Sequence, residues 1–317
     1  MDLNNFLLIY FNCNIGVIMK AYEKLYQRIL NNEKILIDGA TGSEVERSGF
    51  KRTDGAWLSK VCLSNPDLLQ KIHEGYIDSG AEIIITNTFG SAKHSLEDAG
   101  ISDHFEEINR KSAEIAICAR NNHPNRDVLV AGGISYWSWM NNHPNTHILK
   151  QNIEKQSLIL KNAGVDLIVL EMMIDIDRMI ATLEGSLQSK IPVWVGLSCK
   201  VNELGKPCLL NGESIKDAVI EIKKRDVPLI NIMHTEVEYV NSCLNALNNL
   251  WQKPIGVYAH SQKNKSQYWH EDSSISPKEY AKYCKGWLEK GVNLLGGCCG
   301  LHKPHILELR KLLSNYN

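Results

Sequence analysis

The sequence carries almost no excess charge of either sign: 35 Lys and Arg stand against 36 Asp and Glu over 317 residues. No broad field therefore steers it toward nucleic acid or an anionic membrane surface. Glycine (22) and proline (9) are too few for a low-complexity or collagen-like chain. With 44% hydrophobic and 22% charged residues, disorder as the main state is excluded. Long apolar runs are missing too, and no segment approaches the roughly 18 residues that span a bilayer. The stretch Phe6 to Phe11 has no Lys or Arg before it and is interrupted by Asn12 and Asn14, so it lacks the basic region of a secretory signal. Cysteine pairing is also absent from the pattern. The nine cysteines are an odd number and are scattered singly except at positions 298 and 299, unlike the framework of a small secreted domain. A reducing, cytoplasmic setting is expected.

Eight short runs rich in Val, Ile and Leu are present, each ending in small or polar residues. They begin near Ile35, Glu82, Asp127, Val165, Pro192, Val227, Pro254 and Val292 and read as buried strands. Segments of helical spacing lie between them. Leu68, Leu69, Ile72 and Tyr76 share one face, as do Ile306, Leu309, Leu312 and Leu313. Each strand-plus-helix unit takes about 37 residues, which suits the right-handed crossovers of a parallel sheet. The expected fold is a single-domain α/β structure, a (β/α)8 TIM barrel. The first run continues as Gly39-Ala40-Thr41-Gly42-Ser43-Glu44, which lacks the GxGxxG spacing of a dinucleotide site. Met19 opens an amphipathic helix leading into the first strand. Residues 1–18 are expected to be an extension or to precede an alternative start, with the barrel occupying 19–317.

In such barrels the chemistry sits at the carboxyl ends of the strands. The last run ends in Gly296-Gly297-Cys298-Cys299-Gly300. Neighbouring residues of a regular strand point to opposite faces, so both thiols can serve one site only where the strand breaks, as the flanking glycines permit. Two readings stand: a buried, inert cysteine pair, or two thiolate ligands of a zinc ion whose open position takes a substrate.

These residues resemble the homocysteine S-methyltransferase family of zinc-dependent barrels. The matching pieces are Asp38 to Glu44, Thr86-Asn87-Thr88-Phe89, Glu171 with Asp175, and GGCCG with His305-Ile306. They run in order from about Ile35 to Leu313. The resemblance implies zinc held by three cysteines, two of them Cys298 and Cys299. The third departs from the pattern, because aligning Glu238 and Val240 places His234 where a cysteine is usual. Histidine is a competent zinc ligand, and strand alternation puts Ile230, Ile232 and His234 on one face. Cys199 is the rival; the resemblance makes Ser198 the site-facing residue and turns Cys199 outward.

The resemblance further implies that Glu171 takes the amino group of an amino-acid thiol acceptor, and that Asp38, Ala40, Glu44, Thr86 and Asn87 line the substrate site. For Asp175 a helix-capping role is the better fit. Trp269 matches a family tryptophan and could face a sulfonium by cation–π attraction. The seventh run ends Tyr258-Ala259-His260-Ser261 where the family favours Pro-Asn, and the third lacks the usual Gly-Pro after Gly133. The expected reaction is methyl transfer from a small onium donor, S-methylmethionine or S-adenosylmethionine, to homocysteine, with betaine a further candidate donor. Another thiol or selenol acceptor, or a noncatalytic zinc- or thiol-binding relative, is the alternative. Two cysteines, one histidine and a substrate thiolate around zinc give a formal charge of about −1, against about −2 for three cysteines. The partners expected are a thiol acceptor and a methyl donor, with no nucleic acid and no membrane; the pattern carries no signal of oligomeric state.

Overall fold

A computed structural model of the chain describes residues 20–50, 56, 58–261 and 275–317. The expectations for residues 1–18 and for Trp269 lie outside the described residues. The strands are β1 (Ile35–Leu36), β2 (Ile83–Ile85), β3 (Leu129–Ile134), β4 (Leu167–Met173), β5 (Val193–Val201), β6 (Pro207–Leu209), β7 (Ile230–Glu236), β8 (Ile255–His260) and β9 (Leu294–Leu295). All pair in parallel except β6, in the order β1-β9-β8-β7-β5-β4-β3-β2. An Ile37–Ile83 bridge joins the two ends, with Glu82 N donating to Leu36 O at 2.8 Å and Asp38 N to Ile83 O at 3.0 Å. The result is a (β/α)8 barrel whose strands coincide with the eight apolar runs. The β6 segment, antiparallel to β5, is a hairpin that the run pattern did not announce.

Between the strands lie α2 (Thr41–Arg47), α3 (Val61–Ser64), α4 (Pro66–Asp78), α5 (Lys93–Asp98), α6 (Phe105–Asn121), α7 (Thr146–Ala163), α8 (Ile176–Ser186), α9 (Ile215–Lys223), α10 (Val237–Asn248) and α11 (Pro277–Glu289), and α12 (Lys303–Leu313) follows the last strand. Their starts are written in the sequence. Asn65 accepts from Leu68 N ahead of Pro66, Asn145 from Ile148 N, and Ser276 with Glu279 forms a capping box. Helix α4 buries Leu69, Ile72 and Tyr76, and α12 buries Ile306, Leu309 and Leu313, as their spacing predicts. None of the described helices is long and apolar enough to cross a membrane.

Two apolar layers result. One lies between strands and helices and includes Val130, Ile168, Leu170, Ile230 and Ile232. The other fills the barrel and includes Ile35, Ile83, Leu129, Leu167, Val169, Trp194, Met172, Met233 and Tyr258. The helix over residues 20–30, α1, covers the strand amino ends. Its Tyr22, Leu25 and Ile29 join the inner layer, and Trp194 Nε1 donates to Tyr22 Oη at 3.1 Å. That end of the barrel is closed, so the opposite mouth is left for chemistry.

Candidate functional site

At the mouth the strand rule is broken in two matching places. Along β4, Leu170 pairs with Val195 and Met173 with Leu197, so three steps oppose two. Along β7, Met233 pairs with Tyr258 and Glu236 with His260, again three steps against two. Each is a β-bulge, and each carries a non-glycine residue in the left-handed region: Met172 at φ +59° and His234 at φ +42°. Such a conformation costs on the order of 1 kcal/mol or more and re-aims a side chain. Glu171 and Met172 consequently both face the mouth, as do Met233 and His234.

The expectation from plain alternation is thereby corrected. Ile230 and Ile232 face the helices, and a regular strand would send His234 there too. The bulge turns it inward instead. Thr235 repairs the broken ladder: its hydroxyl donates to Met233 O at 2.9 Å and accepts from Cys199 N at 2.9 Å. On the β4 side, Tyr136 Oη accepts from Ile174 N (2.7 Å) and Asp175 N (3.0 Å).

A third irregularity follows β9. Gly296 N and Cys298 N continue to bond β8 through Val257 O (3.0 Å) and Ala259 O (2.9 Å), while Gly297 N bonds Asp38 O on the β1 side (3.0 Å). The chain then turns, with Leu301 N donating to Cys298 O at 3.0 Å and Gly300 at φ +80°, a value that suits glycine. Both thiols end at the cavity. Cys298 Sγ and Cys299 Sγ are 3.8 Å apart, and His234 Nδ1 lies 3.5 Å from the first and 3.8 Å from the second.

These separations can be compared with a tetrahedral zinc site. Bond lengths of about 2.3 Å to sulfur and 2.05 Å to nitrogen place two sulfurs roughly 3.8 Å apart and sulfur and nitrogen roughly 3.6 Å apart. The donor set has the right chemistry as well. Burial, followed by the neighbouring His260, holds His234 well below the usual imidazole range, so it stays neutral with a lone pair to give. The adjacent Cys299 and burial push Cys298 well above the usual thiol range. Two thiolates so close form only beside a cation. Among the described residues this is the one group of three or more such side chains whose ligand atoms gather within 4.8 Å. A possible metal site therefore exists at the mouth.

The triad borders a cavity of about 100 Å³ whose other lining residues include Asp38, Ala40, Thr86, Asn87, Phe89, Trp137, Trp139, Glu171 and Tyr258. No Lys or Arg is among the described lining residues. Glu171 has no ion pair or hydrogen bond among the described residues, and burial pushes its carboxyl from 4.5 up to about 8. Gly133 makes its room: a methyl group there would overlap Glu171 Oε1. Burial also raises Asp38 well above the usual carboxylate range, with repulsion from Glu171 adding to it, although Asp38 Oδ2 accepts from Ile85 N at 2.8 Å. Thr86 Oγ1 accepts from Gly133 N at 3.1 Å, and Asn87 Nδ2 donates to Leu58 O at 3.2 Å.

Other sequence candidates lie elsewhere. Glu44 is absent from the cavity lining and faces His302 Nδ1 at 2.9 Å and Lys303 Nζ at 3.9 Å. Burial opposes its ionisation, but the hydrogen-bonding contact with His302 and the charges of Lys303 and Arg47 outweigh it and hold the carboxyl below its ordinary value. Asp175 caps α8, accepting from Arg178 N at 2.9 Å. Cys199 is buried on the helix side with Cys243, away from the triad. Cavity residues that escaped the sequence reading include Met172, Met233, Trp137, Trp139 and Tyr258. Tyr258 shares the inward face of β8 with Gly256, so alternation could have found it.

Residues 35–313 match the family described as homocysteine S-methyltransferase. The chain is 27% identical to the homocysteine S-methyltransferase 2 of Arabidopsis thaliana, covering 88% of this chain and 93% of that one. It is 26% identical to the selenocysteine Se-methyltransferase of Brassica oleracea var. italica, over 88% of each. The metallated form of the homocysteine methyltransferase MmuM from Escherichia coli shares the fold, with a TM-score of 0.74, 22% identity, and coverage of 88% of this chain and 96% of that one. With a match that spans the barrel from its first strand to its last helix, this chain belongs to the homocysteine S-methyltransferase family and is a methyltransferase.

Proposed function

We propose that the protein transfers a methyl group from a small onium donor to the thiol of homocysteine, giving methionine, with zinc held by His234, Cys298 and Cys299. The observation that carries this reading is the triad, three neutral or thiolate donors at tetrahedral spacing on the wall of a cavity that also holds the carboxyls of Asp38 and Glu171. Bound there, zinc supplies a Lewis acid that keeps a substrate thiol deprotonated at neutral pH.

The chain's own residues do the rest. Glu171 offers its carboxylate to the acceptor's ammonium, a pairing that offsets the cost of burying both charges. Asp38, Ala40, Thr86 and Asn87 frame the acceptor beside it. A cavity with two carboxyls, the indoles of Trp137 and Trp139, and no described basic side chain favours a cationic donor. The thiolate sulfur attacks the methyl carbon in line, the new S–CH3 bond forms as the onium–CH3 bond breaks, and the freed electron pair stays on the donor. Holding the sulfur and the methyl carbon in line supplies much of the rate. The domain that does this is residues 19–317, in a cytoplasmic setting where its thiols stay reduced.

A selenol acceptor is the second reading, favoured by the similarity to a selenocysteine Se-methyltransferase. Mass spectrometry of the purified protein with homocysteine or selenocysteine and each of S-methylmethionine, S-adenosylmethionine and betaine tests both. Methionine or methylselenocysteine is the expected product. Stoichiometric zinc with no methylated product from any pair would make the chain a binder rather than this enzyme.

A further inference from the structure

The imidazole of His234 is presented from a left-handed backbone inside a bulge, which leaves its orientation to be fixed by whatever packs against it. One face is covered by the ring of His260, from the end of β8. The two centroids are 4.4 Å apart and the planes tilted by 41°. His260 is in turn tied down, with Nε2 3.1 Å from Glu236 Oε1. The register explains why the three residues meet. Beyond the bulge Glu236 pairs directly with His260 across β7 and β8, so the extra residue that turns His234 inward also sets Glu236 beside His260. His260 lies outside the group of ligand atoms that gather within 4.8 Å, which belong to His234, Cys298 and Cys299. Its place is behind the triad.

We propose that His260, held by Glu236, is a positioning residue for His234: its ring lies on the His234 imidazole and keeps Nδ1 turned toward the two thiols. The inference rests on the metal reading above. A ring packed at a tilt against the imidazole, 4.4 Å away, blocks the rotation that would point Nδ1 away. Hydrogen-bonded partners behind metal ligands typically control affinity by roughly 10–100-fold, and a ring that packs against the ligand is expected at the lower end of that range. His234 and His260 are also two positions where this sequence departs from the family pattern, and the geometry joins them into one change. A cysteine at 234 has no ring to orient, so the brace matters only when that residue is histidine.

A double-mutant cycle on the full chain tests this directly. Zinc affinity is measured by chelator competition for wild type, His260→Ala, His260→Phe and Glu236→Gln, and again for each in a His234→Cys background. Expected is a loss of about tenfold for His260→Ala in the wild-type background and under about threefold in the cysteine background. His260→Phe, which keeps a ring, should restore most of the loss. Glu236→Gln, at a half-exposed site, should cost a few-fold in the histidine background only, and it serves as the probe if His260→Ala does not fold. Cobalt(II) substitution adds a spectroscopic reading, since a misdirected imidazole alters the visible bands of the ion. Equal losses in both backgrounds, or no loss in the first, would overturn the brace. A wild-type chain that binds neither zinc nor cobalt would overturn the metal reading and the brace with it.

Discussion

Glu171 makes the sharpest prediction, because its carboxyl is held at about 8 by burial and must ionise to meet an ammonium group. At pH 7 a group of that pKa is only about 9% ionised, so forming the carboxylate–ammonium pair releases about 0.9 proton, falling to about 0.5 at pH 8. The ligand for the test is methionine, which carries the amino and carboxyl groups of homocysteine without a thiol whose own proton would be counted. Calorimetry at one pH in buffers of different ionisation heat gives the number of protons released. Affinity should rise about ninefold from pH 6 to pH 7, following the ionised fraction. Because Asp38 is raised as well, the control is Glu171→Gln, in which the 0.9 proton should vanish while any contribution from Asp38 stays. Stability moves in the opposite sense. The raised carboxyl favours the folded state below 4.5, and that contribution is lost as pH rises through about 8. The melting temperature of Glu171→Gln should therefore pull ahead of wild type as pH rises from 5 to 8.5. Methionine binding with no proton release at pH 7, or with the same release in the glutamine variant, would refute the reasoning.

Cys298→Ser and Cys299→Ser should each lose most bound zinc by metal analysis; full retention by both would sink the ligand assignment. His234→Cys should keep one zinc per chain and exchange a nitrogen neighbour for sulfur in its X-ray absorption spectrum, and the more negative site should speed methyl transfer to homocysteine; a wild-type spectrum with three protein sulfurs and no nitrogen rejects His234. Gly133→Ala would place a methyl against Glu171 Oε1 and 2.9 Å from Ile85 Cγ2, so we expect acceptor KM to rise tenfold or more with zinc content unchanged. Removing residues 1–18 should leave the melting temperature and turnover as they are, whereas removal through residue 31 strips Tyr22, Leu25 and Ile29 from the inner layer at roughly 1.5–3 kcal/mol each and should destabilise the barrel severely.

How much of this was legible in the sequence depended on whether a residue obeyed a local period. Strands and helices did: Leu69, Ile72 and Tyr76 on α4 follow spacings of three and four, and Leu167 and Val169 inside β4 a spacing of two, that any reader of the chain can count. Asn65, Asn145 and Ser276 announce their helices because a cap is a contact between near neighbours. The β6 hairpin was missed because its three residues pair only with the end of β5, too short a segment to carry a period. Trp137 and Trp139 were missed for a related reason. They reach the cavity from a connection after β3, where no period exists and the side-chain direction follows from the whole fold.

The site itself sits where periodicity fails, and the three failures differ in how visible they were. The adjacent cysteines advertised theirs, because two thiols with one purpose cannot share a regular strand, and the glycines beside them marked the break. The bulges in β4 and β7 left no such mark. Neither Met172 nor His234 is the glycine that a left-handed backbone ordinarily selects, so nothing in LEMM or IMHT warns that an extra residue is inserted. Glu171 follows Leu167 and Val169 inward by plain alternation, one residue before the β4 bulge, whereas alternation gave His234 the wrong direction, inside the β7 bulge. What compensates the backbone cost is spread over distant positions: Thr235 bonding Cys199, Tyr136 bonding Ile174 and Asp175, and His260 lying on His234. A bulge stabilised by neighbours on other strands is a tertiary feature, and its residues acquire their chemistry only once those strands are side by side.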